Sequence, residues 1–443
     1  MKKIKNRALT VLLLVVLAIC GLGFYIVRYA ADGSKWASAG FITTAFSRGG
    51  LKTGALTDRE GVVLASVEDG RLKFADNEDV RRATLHAVGD LQGNIGTGAL
   101  TVYAPELMGY NAITGAYSRT GHGETVALTL DSRLNVEAYK ALGGRRGAVM
   151  VMDYMTGEVL CMVSTPAFDP AKPPDIKAGD PAFEGVYINR AISAAYPPGS
   201  TFKLLTAAAA IENIPGLFDR VFECTGGIEV GGEMVKCSAT HGRLTFEQAL
   251  SVSCNSVFGE LALELGADTL AEYAKAYGLS EQANVGGIMT AKGNFDKAAP
   301  DSANLAWSGI GQYDDTVCPA AMLRYVAAIA NGGVAAKMEL LKKDSVPALM
   351  QAGSQRIMRE DTARQLGDIM TYHGSQSFPG LNIHAKSGTA EVGGGMTPHA
   401  WFTGYITNEG HPLAFVVIVE NGGGGAATAG PIANRVLQAA VKK

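Results

Sequence analysis

The run of apolar and polar positions along the chain changes character three times. Residues 8–27 form one uninterrupted uncharged stretch, preceded by Lys2, Lys3, Lys5 and Arg7 and followed by Arg28. About 20 apolar residues suffice to cross a bilayer as a helix. Basic residues before them favour leaving that end in the cytoplasm, with everything after Arg28 outside. A cleaved signal peptide would show a shorter apolar region and an A-x-A site, and neither is present. A lipoprotein site at Cys20 would need a small residue where bulky Ile19 stands. The pattern predicts an uncleaved single-span anchor over residues 1–30.

Residues 31–125 are mixed, Gly-rich and weakly periodic, and predict a small pedestal or linker region. Within them "GALTDREGVVLASVEDGRL" reads as two short strands around an Asp58-Arg59-Glu60-Gly61 turn. From 126 to 443 the pattern sharpens. "GAVMVMDYMTGEVLCMVSTP" gives two apolar, β-rich runs joined at residues 154–158, a hairpin buried on at least one face. The middle is helical, with "TFKLLTAAAAIE", "TFEQALSVSCNSVFGELALELG" and "PAAMLRYVAAIANGG" as its clearest pieces. Strands return in "NIHAKSGTAEV", "HAWFTGYIT" and "PLAFVVIVEN", and a helix, "GPIANRVLQAAVKK", follows. Strands, a helical block, then strands with a terminal helix predict an α+β domain whose sheet draws on both ends of its sequence.

Composition changes this picture little. A chain of 443 residues has room for two or three domains, and a hydrophobic content of 47% is that of a globular protein. A formal net charge of -3, without basic clusters beyond the anchor, carries no nucleic-acid signature. Six cysteines are no disulfide scaffold in a chain with so large a core. Cys224 and Cys237 bracket the Gly-rich "CTGGIEVGGEMVKC" and are either a bridge or two free thiols; their spacing suits no zinc motif. The seven histidines show no H-E-x-x-H or paired metal spacing, so neither metal nor cofactor is expected, and His241 reads as structural. The glycine run 422–425 reads as a loop after a strand, lacking the lysine and spacing of a phosphate cradle. Trp401 and Phe402 read as core or cleft wall.

The chemistry is concentrated in "AAYPPGSTFKLLTAAAAIE". Pro197 and Pro198 fix the approach and Gly199 allows a turn, which places Ser200 in the first turn of a helix, at the positive end of its dipole. Lys203, at i+3, shares that face and can reach the Ser200 hydroxyl. It acts as a base only if burial or a neighbouring cation keeps it neutral. S-x-x-K alone is weak, since an N-capping serine explains it as well. Here it is followed by Ser253-Cys254-Asn255, which interrupts the second helical segment, and by Lys386-Ser387-Gly388-Thr389 on a predicted strand. S-x-x-K, S-x-N and K-[ST]-G in that order belong to penicillin-binding proteins and serine β-lactamases. Lys52-Thr53-Gly54 also matches the third motif, but it precedes the serine and is set aside.

The chain resembles the class B penicillin-binding proteins, monofunctional peptidoglycan D,D-transpeptidases, from about residue 52 onward. "RGAVMVMDYMTGEVLCMVSTPAFDP" and "NRAISAAYPPGSTFK" match that family's approach to the nucleophile. "CTGGIEVGGEMVKCSATHGRLTFEQALSVSCN" matches the segment before its second motif, and His241 occupies a family position. "GALTDREGVVLA" resembles its R-G-x-I-x-D-R-x-G segment, with Thr53 in place of the arginine. "GIGQYDDTVCPAAMLRYVAAIANGG" resembles its G-x-G-Q stretch, with Tyr313 and Cys318 departing from it at positions expected to touch the cleft. The resemblance implies a penicillin-binding, serine β-lactamase-like transpeptidase domain, an antiparallel sheet flanked by helices. It implies that Ser200 attacks the bond between two D-alanines of a stem peptide and that Lys203 takes its proton. Ser253 and Lys386 would relay that proton, Lys386 would hold the substrate carboxylate and Asn255 would bond the donor peptide. Ser387, Gly388 and Thr389 would line the strand on which substrate lies, and the N–H groups of Ser200 and Thr389 would form the oxyanion hole.

Peptidoglycan stem peptides and β-lactam antibiotics are the ligands this implies. The roughly 170 residues between the anchor and the nucleophile leave no room for a glycosyltransferase, so a separate membrane glycan polymerase of the SEDS type is the expected partner. Three rivals share the fold. A β-lactamase of the glutamate-using class needs E-x-x-L-N after the second motif, and Glu260 does not supply it. The carbamylated-lysine class and the β-lactam sensors usually carry an apolar residue where Asn255 stands. A D,D-carboxypeptidase, which passes the acyl group to water, carries the same motifs.

Overall fold

The uncharged run at the start folds into one helix, α1 (Lys2–Ser38), in the computed structural model, which describes residues 2–38, 53–68, 71–108, 122–177, 179–342, 353–371 and 378–442. Over Lys5–Arg28 its mean hydropathy is 2.7 and none of its side chains is buried. A helix apolar on every side, with none of these side chains buried, is matched to lipid. One such helix is compatible with a single-pass anchor.

The next region contains a small sheet of four strands, β1 (Thr53–Thr57), β2 (Val63–Glu68), β3 (Arg71–Phe74) and β4 (His122–Ala127), in the order β3-β2-β1-β4. The turn between β1 and β2 is held by Asp58. Its Oδ1 accepts the N–H groups of Glu60 and Val62 at 2.9 and 2.8 Å, and its Oδ2 accepts from the Ser132 hydroxyl at 2.6 Å. Helix α2 (Glu78–Val88) begins at Asn77, whose side chain accepts from Asp79 N–H. Arg81, one turn into α2, forks onto Asp169 at 2.7 and 2.8 Å and donates to the Ala75 and Asp76 carbonyls. Of the earlier K-[ST]-G match, Lys52 lies outside the described residues.

The main sheet is built as the hydrophobic pattern requires. Strands β5 (Gly147–Asp153) and β6 (Val159–Thr165) form the predicted hairpin, and it is buried on both faces. Strands β7 (Val221–Cys224), β8 (Gly227–Val230), β9 (Glu233–Lys236) and β10 (Gly242–Thr245) form two small ribbons, β7 with β10 and β8 with β9. Strands β11 (Ile383–Ala390), β12 (His399–Asn408) and β13 (His411–Val419) return to the main sheet, whose order is β11-β12-β13-β5-β6, antiparallel throughout. Alternation then assigns each side chain to a face. Val149 and Val151 join Leu134, Leu142, Phe402 and Ile432 in one core, which covers the sheet with α3 (Ser132–Leu142). Met150 and Met152 join Leu204, Phe258, Met322 and Trp401 in the other, under α4 (Lys203–Asn213), α5 (Phe246–Ser251), α6 (Asn255–Ala276) and α7 (Pro319–Ala330). Leu56, Leu64 and Val126 of the small sheet belong to this second core. The α+β expectation holds, with strands from both ends of the domain meeting where β13 pairs with β5.

One boundary differs from the sequence pattern. The helix expected from Gly430 starts at Gly425 as α8 (Gly425–Val441). A Cβ on Gly425 would lie 2.4 Å from the Gly388 and Trp401 carbonyl oxygens, so only glycine lets α8 begin against the sheet. The helical run interrupted by Ser253-Cys254-Asn255 is cut between α5 and α6, and Ser253 there has φ 58°. That single left-handed residue reverses nothing globally; it turns one side chain.

The Arg81–Asp169 fork is the main polar tie between α2 and the loop after β6, with side chains 11% and 4% exposed. Removing one partner of such a pair leaves a desolvated charge. Asp169→Ala should therefore lower the unfolding free energy by about 3 kcal/mol in urea titrations, while Arg82→Ala on the exposed Glu78 pair should cost under about 1 kcal/mol.

Candidate active site

Ser200 lies in a single 3-10 turn, Gly199–Thr201, that runs directly into α4. Gly199 has φ 53°, and a Cβ there would stand 2.7 Å from the Thr389 carbonyl oxygen. Gly388 answers it from the strand, since a Cβ there would meet Pro198 O at 2.9 Å and Thr201 Cγ2 at 3.0 Å. Two glycines thus let the serine turn lie against β11 at backbone distance. The missing side chain of Gly388 faces this turn, which is a packing reason for glycine in addition to the substrate-strand role inferred from sequence. Trp401 Nε1 donates to Pro197 O at 2.9 Å from the next strand, β12. Thr201 Oγ1 donates back to Pro198 O at 2.7 Å.

Lys203 is wholly buried at the start of α4. Its Nζ lies 2.6 Å from Ser253 O, 2.7 Å from Asn255 Oδ1 and 3.2 Å from Ser253 Oγ. The Ser200 hydroxyl is not among its hydrogen-bond partners, so the direct contact expected from i+3 spacing is replaced by contacts to the second motif. The left-handed Ser253 aims its hydroxyl between two amines, because Lys386 Nζ donates to the same Oγ at 2.9 Å and to Ser387 O at 2.9 Å. A left-handed non-glycine residue costs roughly 1 kcal/mol, and it is sustained here by the Ser253 N–H to Leu250 O bond at 3.1 Å. Asn255 opens α6, donates from Nδ2 to Lys236 O at 2.9 Å and retains one N–H on that amide.

Burial sets the electrostatics. It pushes Lys203 well below the ordinary lysine range, and the positive charge of Lys386 pushes it further. Burial alone holds Lys386 down to about 7. These are the two causes, burial and a neighbouring cation, that a lysine base needs. A cleft of about 340 Å³ opens on the group, lined by Ser253, Lys386, Ser387, Val252, Thr371 and neighbours. A second groove of about 390 Å³ shares Ser251, Val252 and Ile369 with it and carries none of the motif residues.

Ser253, Lys203, Asn255 and Lys386 are thus joined by hydrogen bonds, with Ser200 one turn away. Ser387, Gly388 and Thr389 follow on β11, where Thr389 Oγ1 accepts from Gly425 N–H at 3.3 Å. Tyr313 sits on an exposed turn at φ 70°. Cys318 is buried against the Ala191 and Ile192 carbonyls, so its departure from the family pattern is a core substitution and not a cleft one. Phe402 is core, whereas Trp401 braces the serine turn. Sequence spacing also missed Glu420, which accepts from Arg190 Nε at 2.7 Å and Tyr196 Oη at 2.8 Å and so fixes the residues ahead of Pro197. One further group is gathered only by the fold. Cys224, Cys237, Cys254 and His241 bring three sulfurs and a ring nitrogen within 4.8 Å of one another, and all three cysteines are free thiols.

Residues 147–438 match the model of the penicillin-binding protein transpeptidase domain. The chain is 31% identical over 376 residues to peptidoglycan D,D-transpeptidase PbpA of Mycobacterium tuberculosis, covering 73% of this chain and 74% of that protein. In structure it is similar to penicillin-binding protein A of M. tuberculosis solved as a ceftriaxone acyl-enzyme complex, with TM-score 0.76, 26% identity, and coverage of 90% of this chain and 100% of that one. It is also similar to a chain of a peptidoglycan synthase complex described as coordinating polymerization and crosslinking, with TM-score 0.61, 27% identity, and coverage of 72% and 64%.

The lowered Lys386 has a stability consequence. Between about 7 and the ordinary 10.5 the unfolded chain holds a proton that the native chain lacks, so stability rises with pH across that window. Methionine has no such proton. Relative to Lys386→Met, the wild type should gain up to about 1.4 kcal/mol per pH unit between pH 7 and 10 in denaturant titrations.

Proposed function

The chain belongs to the penicillin-binding protein transpeptidase family, and on that premise we propose that it is a membrane-anchored peptidoglycan D,D-transpeptidase whose nucleophile is Ser200. The observation that carries the site assignment is the Lys203–Ser253–Lys386 hydrogen-bonded line beside the serine turn. Ser200 Oγ attacks the carbonyl between two D-alanines of a stem peptide. Lys203, neutral because it is buried beside a second cation, takes the hydroxyl proton. In its neutral form it donates two N–H groups to Ser253 O and Asn255 Oδ1, which leaves a lone pair for a proton. Ser253, shared by both lysines, passes a proton toward the leaving amine, and protonated Lys386 pairs with the substrate carboxylate. The free N–H of Asn255 donates to a donor-peptide carbonyl. Substrate adds along β11 at Ser387–Thr389. The N–H groups of Ser200 and Thr389 receive the oxyanion, each worth a few kcal/mol in the transition state. The acyl-enzyme is then resolved by an amine of a second stem peptide, which forms the cross-link.

The same chemistry makes β-lactams acylating inhibitors, and among the described residues no carboxylate hydrogen-bonds to Lys203 or Lys386 to serve as a hydrolytic base. Glu260 lies within α6 and lacks the E-x-x-L-N context. Without an aligned base, deacylation loses a factor of about 10²–10⁴. Residues 31–125 form the pedestal between the anchor and the catalytic domain from 126, and that domain lies outside the cytoplasm. The likeness to a chain of a polymerizing and crosslinking complex supports a membrane glycan polymerase of the SEDS type as partner.

Two experiments test this. Fluorescent penicillin should label the protein once, at Ser200 by peptide mapping, and the adduct should persist for hours by intact mass. A label that survives Ser200→Ala would reject the nucleophile, and clearance within seconds with steady turnover would make the protein a β-lactamase. Deleting residues 1–30 should leave acylation intact while abolishing co-purification with the polymerase. Loss of acylation in a folded truncation would contradict the division of labour.

A further inference from the structure

We propose that Cys224, Cys237, Cys254 and His241 form a structural zinc site that fastens the ribbons before α5 to the Ser253–Asn255 segment. The four residues come from four different places. Cys224 ends β7, Cys237 follows β9, His241 precedes β10, and Cys254 is the residue before α6.

The four ligand atoms lie within 4.8 Å of one another, close enough to share one tetrahedral ion. His241 Nδ1 lies 3.5 Å from both Cys224 Sγ and Cys237 Sγ, and Cys237 Sγ lies 3.8 Å from Cys254 Sγ. With Zn–S near 2.3 Å and Zn–N near 2.0–2.1 Å, tetrahedral edges come to about 3.8 Å for S···S and about 3.6 Å for S···N. These three edges fall on those lengths, and the other three lie within 4.8 Å. A disulfide needs sulfurs at about 2.05 Å, far shorter than the 3.8 Å between Cys237 and Cys254. Three thiols also cannot all pair, so a bridge would strand the third.

The surroundings suit thiolates. Asn255 N–H donates to Cys237 Sγ at 3.1 Å, and the Ser256 hydroxyl lies 3.3 Å from Cys224 Sγ. Such donors outside the ligand set tune and hold metal-bound sulfur. Binding Zn²⁺ to three thiols releases three protons to solvent and leaves a centre of net charge -1 with neutral His241. That charge sits at the N-terminus of α6, the positive end of the dipole of its first segment, which runs to the kink at Gly266. Three soft sulfurs and one imidazole in a closed four-coordinate set select zinc and leave no open position for catalysis.

The consequence for the active site is direct. Cys254 stands between Ser253 and Asn255, and Cys237 follows Lys236, whose carbonyl holds Asn255 Nδ2. The metal would therefore lock both residues that hold Lys203. Zinc binding itself does not depend on the transpeptidase reading; only the effect on acylation does.

The test uses the full chain, purified without a histidine tag or chelator, in detergent. Elemental analysis should give about one zinc per chain, and zinc-edge X-ray absorption should give three sulfur neighbours and one nitrogen. His241→Gln and Cys224→Ser should lose zinc under chelator challenge, whereas Cys20→Ser in the anchor should retain it. Stripping zinc from the wild type should slow penicillin acylation about tenfold or more, with recovery on adding ZnCl₂. Intact thiols without zinc, iron or copper in its place, or a disulfide among the three cysteines on non-reducing mass mapping would each overturn the site. Zinc present but removable with no change in acylation rate would overturn its positioning role, and absence of any acylation in zinc-loaded protein would instead fault the transpeptidase reading.

Discussion

Two buried lysine amines share one serine hydroxyl, and the rest of the domain is arranged around that contact. Lys203 and Lys386 are both buried, and Ser253 Oγ lies within 3.2 and 2.9 Å of their nitrogens. Burying one ammonium without a carboxylate costs several kcal/mol, and burying two costs more than either alone. The cost falls if one of the pair gives up its proton, which is what the environment of Lys203 favours most strongly. The burial that destabilises the charged form is thus the same burial that leaves Lys203 able to accept a proton.

Holding that pair requires three elements that approach one another more closely than ordinary side chains permit. Glycine is present wherever backbones must meet, at Gly199 and Gly388 between the serine turn and β11, and at Gly425 where α8 begins against β11 and β12. Polar ties then fix the turn from outside. Trp401 reaches Pro197, and Glu420 gathers Arg190 and Tyr196. The third support is the left-handed Ser253, whose neighbours Cys254 and Asn255 are held by the ribbons of residues 221–245. The cysteine–histidine cluster is thus part of the same problem, since it lies under the residue that joins the two amines.

Much of this was legible in the chain. The hairpin of residues 147–165, the helix after Ser200 and the late strands follow from apolar periodicity, which tertiary packing reinforced and did not override. The three motifs were recognisable because each combines a chemically necessary side chain with a local backbone demand, Pro-Pro-Gly before Ser200 and glycine after Ser387. Where the pattern stopped, distant contacts decided. Ser253-Cys254-Asn255 interrupts a helical run, but nothing local shows that Ser253 turns left-handed there and sets its hydroxyl between two lysines that lie 50 and 133 residues away. Helix α8 starts early because Gly425 alone fits against the strand.

The sequence by itself determined the main strands and helices, the α+β class and the order of the motifs, since these rest on side-chain chemistry and on spacings of a few residues. Only the tertiary structure decided that Lys203 bonds to Ser253 and Asn255 and not to Ser200, that Cys318 is core, and that Trp401 braces the serine turn. It alone decided that cysteines with no metal spacing along the chain converge with His241 on one point. The physical reason is that local periodicity fixes which way a side chain faces on its own element. Which groups it then meets depends on how distant elements pack, and that is set by the shared burial of the whole core.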